Sequence, residues 1–137
     1  MDSQDFESLI FETPSQIQLG IEASKNKRIS KKPDQIVFCG MGGSALAGDL
    51  LKVVFGEYKI KIPIIIHKDY DLPLTVTKNS LIVWVSYSGN TEETLSAYKK
   101  AVTMKVKAIA MASGGQLEKL ATKNKTPYIG IDLKNIP

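Results

Sequence analysis

Cysteine, histidine, arginine and tryptophan each occur once in the 137 residues, as Cys39, His67, Arg28 and Trp84. A lone cysteine excludes an internal disulfide framework, and one cysteine with one histidine cannot assemble a metal cluster. Cys39 closes the apolar run 36–39, where a buried thiol is the simpler reading than a nucleophile. His67 follows the apolar run 62–66 and has no second histidine to work with. No apolar run approaches the roughly 18 residues a membrane span needs, and no basic start leads into an apolar block. Neither a membrane partner nor a secretory signal is expected, and a cytoplasmic location follows.

The shortage of arginine also bears on partners. The net charge is +4, from 18 basic and 14 acidic residues, and 17 of the basic ones are lysine. Only 25–32 clusters them, and it lacks the arginines and stacking aromatics of a nucleic-acid surface. A solvated linker is the better reading, and no nucleic-acid partner is expected. The weak positive field still favours small anionic ligands. The chain is long enough to bury about two-thirds of its unfolded surface as one domain.

What is present alternates. Residues 6–23 carry apolar positions at helical spacing (Phe6, Leu9, Ile10, then Ile17, Leu19, Ile21), with Pro14 near the start of a second piece. That predicts an N-terminal helical arm over 1–34, including the basic linker. From residue 35 onward, apolar runs at 36–39, 62–66, 81–85, 108–111 and 128–131 read as strands. The segments 45–55, 91–104 and 116–123 between them read as helices, the first with Leu46, Leu50, Val53 and Val54 available to bury. Continuous apolar strands separated by amphipathic helices predict a five-stranded parallel sheet in a doubly wound α/β three-layer sandwich over 35–137. The segment 68–78 is too short and aperiodic for a crossover helix, so a loop pinned by Tyr70 and Pro73 is expected. Ligands in such sheets bind at the carboxyl ends of the strands, which nominates the loops after the first, third and fourth.

The loop after the third strand reads Ser86-Tyr87-Ser88-Gly89-Asn90-Thr91. A helix start offers unpaired N–H groups and a partial positive charge, so a phosphate sits there readily, with Ser86, Ser88 and Thr91 adding hydroxyls. The plainer alternative is that Thr91 caps the helix, Glu92 and Glu93 match its dipole, and the serines satisfy a turn. After the first strand comes Gly40-Met41-Gly42-Gly43-Ser44. There Gly42 and Gly43 would present bare N–H groups, while Ser44 would cap its helix and face the same anion. Gly40, Gly42 and Ala45 also fit a relaxed dinucleotide fingerprint, with Asp69 as the acidic partner, but that reading leaves the second loop without a role.

Together these stretches resemble the sugar isomerase (SIS) domain, whose Ser-x-Ser-Gly-x-Thr loop grips the phosphate of phosphosugars. The run Gly40-Met41-Gly42-Gly43-Ser44 with Gly48-Asp49, then Asp69-Tyr70-Asp71-Leu72-Pro73, then 86–94, then Ser113-Gly114-Gly115, is similar to the amino-terminal SIS domain of the bifunctional phosphoglucose/phosphomannose isomerase family. The resemblance implies a flavodoxin-like SIS fold and a phosphosugar site made from Gly42, Gly43, Ser44, Ser86, Ser88 and Thr91. It implies interconversion of glucose 6-phosphate or mannose 6-phosphate with fructose 6-phosphate through an enediol, with no metal and no cofactor. It further implies a second SIS domain, or a homodimer partner, that supplies the catalytic glutamate and histidine, and an arginine just past the last strand. The expectation is therefore no catalytic residue within 1–137 and no activity of this stretch alone; Glu92 and Glu93, in a helix's first turn, are poorly tuned to act as base. A phosphosugar-sensing SIS module that converts nothing is the alternative, and a dinucleotide-binding domain the third reading.

Overall fold

A computed structural model describes residues 6–29 and 31–131. Two helices, α1 (Phe6–Phe11) and α2 (Thr13–Ser24), precede a regular alternation: β1 (Ile36–Cys39), α3 (Gly43–Glu57), β2 (Ile64–His67), β3 (Leu81–Val85), α4 (Glu92–Met104), β4 (Lys107–Ala112), α5 (Gly115–Lys123) and β5 (Tyr128–Gly130). All strands pair in parallel in the order β2-β1-β3-β4-β5. The chain moves from β1 to β2 in one direction and from β3 through β4 to β5 in the other. The winding therefore reverses between β1 and β3, which is where such sheets open a ligand crevice. The five-stranded α/β expectation holds, and two strands, β1 and β3, begin and end where the apolar runs do.

The sheet's two faces are filled differently. Val37, Cys39, Ile82, Trp84, Ala110 and Ala112 share one face and form a single cluster with Ala97, Tyr98 and Ala101 of α4 and Leu117 and Ala121 of α5. Trp84 and Tyr98 meet edge to face at 5.5 Å, the arrangement that ring quadrupoles favour. Tyr98 passes under α5, its hydroxyl 2.7 Å from Thr126 Oγ1 and donating to the Leu120 carbonyl at 3.3 Å. On the opposite face α3 packs against β1 and β2 so closely that a Cβ at Gly48 would lie 2.5 Å from Ile66 Cδ1 and 2.8 Å from the Phe38 ring. Only small residues fit there, and Ala45 and Gly48 are the buried ones. The four large apolar residues expected to bury lie on the other side of the helix: Leu46, Leu50, Val53 and Val54 are 47–63% exposed.

The segment between β2 and β3 is irregular, as its aperiodicity required. It is held down by Leu72 and Val76, which pack against the core, and by an ion pair between Lys100 and Asp71. Tyr70 is half exposed and Pro73 half buried, so the pinning expected of that pair rests chiefly on Leu72 and Val76. The helical arm is present, with Pro14 in the first turn of α2, where its missing N–H costs nothing. None of the described side chains of α2 is buried, and Ile10, Phe11, Ile17 and Ile21 stand more than half exposed. The side chains of Phe6 and Leu9, and the chain's last residues Asn135, Ile136 and Pro137, lie outside the described residues.

Candidate functional site: two strand-end loops at the winding reversal

The loop leaving β1 turns into α3 at Gly42, whose φ of 51° lies in the left-handed region that glycine adopts without strain. Gly40 is needed for a different reason: a Cβ there would sit 2.9 Å from the Val85 carbonyl oxygen, so the β1 and β3 ends can approach only without one. The Ser44 amide donates to Met41 O at 3.0 Å and the Ala45 amide to Gly42 O at 3.1 Å, tightening the first turn. The amides of Gly42 and Gly43 make no backbone hydrogen bond with a described residue and stay available. Ser44 does not cap α3, contrary to expectation: Gly42 holds the capping position, and no side chain bonds the helix's first amides. The Ser44 hydroxyl is thereby left free for another acceptor.

The loop leaving β3 is built from hydroxyls that bond one another. Ser86 is 1% exposed, its amide donates to Met111 O at 3.1 Å, and its Oγ lies 2.8 Å from Thr91 Oγ1. Thr91 holds the N-cap position of α4 but makes no side-chain capping bond, so the plain capping alternative fails at this residue. Two hydroxyls sharing one hydrogen bond keep one proton unspent. Ser86 is buried and Thr91 half buried, so Thr91 is the more exposed member of the pair. Ser88 is exposed at the loop's crest, where its Oγ accepts the Asn90 amide at 3.2 Å. Thr94, in the first turn of α4, has a buried hydroxyl with no partner among the described residues.

The loop after β4 acts as a brace for the β3 loop. A Cβ on Gly89 (φ 67°) would collide with the Gly114 carbonyl, and one on Gly115 with the Ser88 carbonyl, so these two glycines let the loops touch backbone to backbone. The first amides of α5 are consumed by this contact, Gln116 N donating to Asn90 Oδ1 at 3.0 Å and Leu117 N to Gly89 O at 2.9 Å. Ser113 adds two bonds to the Tyr87 carbonyl, from its amide at 2.9 Å and its hydroxyl at 2.6 Å. The helix start after β4, nominated as a ligand site by its glycines, is thus already filled by protein. The role of Asn90 was not readable from the sequence, since nothing local announces a side-chain acceptor for a helix 26 residues away.

Gly43 and Ser44 share an open cleft of about 450 Å³ with Met41, Ala47, Val85, Tyr87 and Ile131, which joins the two loops across the winding reversal. Ser86, Ser88 and Thr91 do not line that cleft. His67, at the end of β2, is turned away from it: a ring nitrogen bonds the Asp71 carbonyl, and burial lowers its pKa below the usual 6.5 against the opposing pull of Asp69. Asp69, the acid a dinucleotide would want, accepts the Tyr70 amide at 2.7 Å. Cys39 is buried and its thiol is pushed up to about 12 by burial, which leaves it protonated and inert at neutral pH. Among the described residues no group of three or more His, Cys, Asp or Glu side chains is placed to hold a metal ion, and no helix is long and apolar enough to cross a membrane.

A five-stranded parallel sheet with its winding reversed between β1 and β3 and donor-rich loops at that point defines the class, a doubly wound α/β domain. More particularly, residues 29–130 match the SIS domain, and the chain belongs to that family. It is 44% identical over 135 residues to a bifunctional phosphoglucose/phosphomannose isomerase of Caldicellulosiruptor bescii, an alignment covering 96% of this chain and 38% of that protein. It is also 33% identical over 102 residues to a D-glucosamine-6-phosphate 4-epimerase of Sulfolobus acidocaldarius, covering 74% of this chain and 31% of the other. The fold is similar to that of the Vibrio vulnificus NanR protein complexed with ManNAc-6P, at a TM-score of 0.63 and 19% identity, covering 94% of this chain and 52% of that one. The chain thus spans well under half the length of the curated relatives it matches.

Proposed function

We propose that this chain is the phosphate-gripping part of an aldose–ketose isomerase that interconverts glucose 6-phosphate or mannose 6-phosphate with fructose 6-phosphate in the cytoplasm. The observation that carries the reading is the pair of loops at the winding reversal, with unspent amides at Gly42 and Gly43 and the Ser86–Thr91 hydroxyl pair at the start of α4. A phosphate placed between them accepts from the Gly42 and Gly43 amides, the Ser44 and Ser88 hydroxyls and the outward proton of the Ser86–Thr91 pair. Each such bond to a charged group contributes roughly 1.5–3 kcal/mol against water, so a few fix the phosphate's position. The open cleft beside Met41 and Tyr87 then receives the sugar.

The chemistry itself moves a proton between C2 and C1 through an enediol, and that needs a base of suitable pKa near the sugar carbons. Glu92 and Glu93, the carboxylates beside the cradle, both sit in the first turn of α4, and neither is assigned that role. The base and acid come from a partner, a second SIS domain or a second copy of this chain, and the isolated chain binds without converting. The kinship with a 4-epimerase leaves the sugar to be set by the partner's side of the cleft.

A backbone amide NMR titration of the 137-residue chain with fructose 6-phosphate, with sulfate and NAD as controls, tests the reading. Millimolar affinity is expected for half a site, on the order of −4 kcal/mol. Shifts should centre on 42–44 and 86–91 and be larger for the sugar phosphate than for sulfate. No response to sugar phosphate, or a stronger response to NAD at 40–45, overturns it.

A further inference from the structure

The other end of the sheet carries a second feature that the isomerase reading does not use. A cleft of about 390 Å³ opens at the amino ends of β3, β4 and β5. Four cations line it, Arg28, Lys105, Lys107 and Lys125, together with the apolar residues Ile29, Ile109 and Pro127, and no acidic residue among the described ones lines it. None of the four forms an ion pair with a described residue. Asp34, at the amino end of β1, has its carboxylate engaged by the Thr77 and Ser80 hydroxyls at 2.7 and 3.4 Å. The cations are therefore not neutralised from within the described chain.

The cleft continues inward. A cavity of about 240 Å³ shares Lys105, Val106, Ala108, Asn124 and Thr126 with it and is also lined by Trp84. The indole of Trp84 is fully buried, and its N–H has no hydrogen-bond partner among the described residues. Buried donors are nearly always paired, and the residue that carries this unspent one lines the cavity.

The lysines also stand where glycine is the usual choice. Lys105 and Lys125 have φ of 54° and 55°, in the left-handed region just past α4 and α5. Lys59 ends α3 in the same way, with φ 53°, and lines neither cavity, so attraction to the helix dipole accounts for lysine at such ends in general. It does not account for two of them converging with Lys107 and Arg28 on one cleft.

We propose that this cleft is a second ligand site, for a small organic dianion with a flat apolar body, of which a nucleoside monophosphate is the representative class. The phosphate lies among Arg28, Lys105, Lys107 and Lys125, and the apolar body covers Ile109 and Pro127. The site is separate from the phosphosugar cradle, which lies at the carboxyl ends of the same strands. It stands whether or not the isomerase reading does.

Adenosine monophosphate is the probe, with pyrophosphate as the charge-only arm and a short single-stranded oligonucleotide as the macromolecular arm. Saturable shifts are expected at the amides of 105–109 and 124–126, below about 1 mM, with a change in emission of the single tryptophan. Lys105→Asn with Lys125→Asn removes both charges using a residue that tolerates the left-handed region, so the fold is kept. This variant should bind adenosine monophosphate about tenfold more weakly. Its response to fructose 6-phosphate at 86–91 should match that of the unaltered chain. No saturable response to adenosine monophosphate, an undiminished response in the variant, pyrophosphate binding as well as the nucleotide, or tighter binding of the oligonucleotide would each overturn the proposal.

Discussion

At the scale of single residues, the β3 loop rests on one buried hydroxyl contact. Ser86 and Thr91 bond each other, and a methyl in place of the Thr91 hydroxyl strands that of Ser86, a residue 1% exposed. Thr91→Val keeps the shape and should cost about 1–3 kcal/mol in urea unfolding, with fructose 6-phosphate binding weakened in parallel. An unchanged midpoint would mean that the hydroxyl pair carries no strain when broken. The glycines divide along the same physical line. Gly89 has φ 67° and no room for a Cβ beside Gly114, whereas Gly43 has neither a positive φ nor a neighbour within 4 Å. Gly89→Ala should destabilise by more than about 2 kcal/mol and Gly43→Ala should stay within about 0.5 kcal/mol, by thermal unfolding. Loss of phosphosugar binding in Gly43→Ala at unchanged stability would report how closely the ligand approaches that backbone. The sequence alone pointed to these residues but not to their partners. A Ser or Thr can cap, donate or pair, and only the fold showed that Thr91 pairs with Ser86 and that Ser44 caps nothing.

At the scale of elements, the strands were legible because a parallel strand covered on both faces has no polar side to interrupt it. The helices were legible in place but not always in facing. In α4 the apolar side faces the sheet and buries Ala97, Tyr98 and Ala101. In α3 the order is inverted, because the close approach to Phe38 and Ile66 admits only Ala45 and Gly48, and the larger residues turn outward. Hydrophobic spacing cannot distinguish a face buried in its own domain from one that awaits another. The end of β2 carries a pH signature of its own. His67 bonds the Asp71 carbonyl, and burial depresses its pKa below the unfolded value of 6.5. A depressed histidine binds fewer protons folded than unfolded, so its contribution is fully present above pH 6.5 and declines as pH falls through that value toward the folded pKa. Urea unfolding at pH 5 and pH 7.5 should show the chain less stable at the lower pH, and His67→Gln should flatten that part of the dependence. An identical slope in the variant would assign the pH dependence to the carboxylates instead.

At the scale of the whole molecule, one sheet face is closed by α4 and α5, while α3 packs on the other against β1 and β2 and carries Leu46, Leu50, Val53 and Val54 on its outer side at 47–63% exposure. These positions recur at intervals of four, three and one, so they form a single stripe along the helix. Three residues earlier on the same helix, Gly43 and Ser44 line the cleft proposed to hold the sugar, and Ala47 lines it beside Leu46. A partner lying on the stripe therefore also reaches the open side of the cleft, where the proposed reaction lacks its base. Four exposed side chains of this size, each contributing about 1.5–3 kcal/mol on full burial, are enough to draw a second copy of the chain in the absence of another SIS domain. Light scattering across a concentration series should show dimer formation, with a specific interface burying about 1,200–2,000 Å² in total. Leu50→Lys with Val53→Lys lies on the exposed side of α3, and should return the chain to monomer while leaving its circular dichroism and unfolding midpoint unchanged. If the unaltered chain stays monomeric at high concentration, the stripe is not self-complementary, and the covering partner has to be a different surface. If the double variant still dimerises, the contact runs instead through the arm, where Ile10, Phe11, Ile17 and Ile21 offer the other large exposed apolar set.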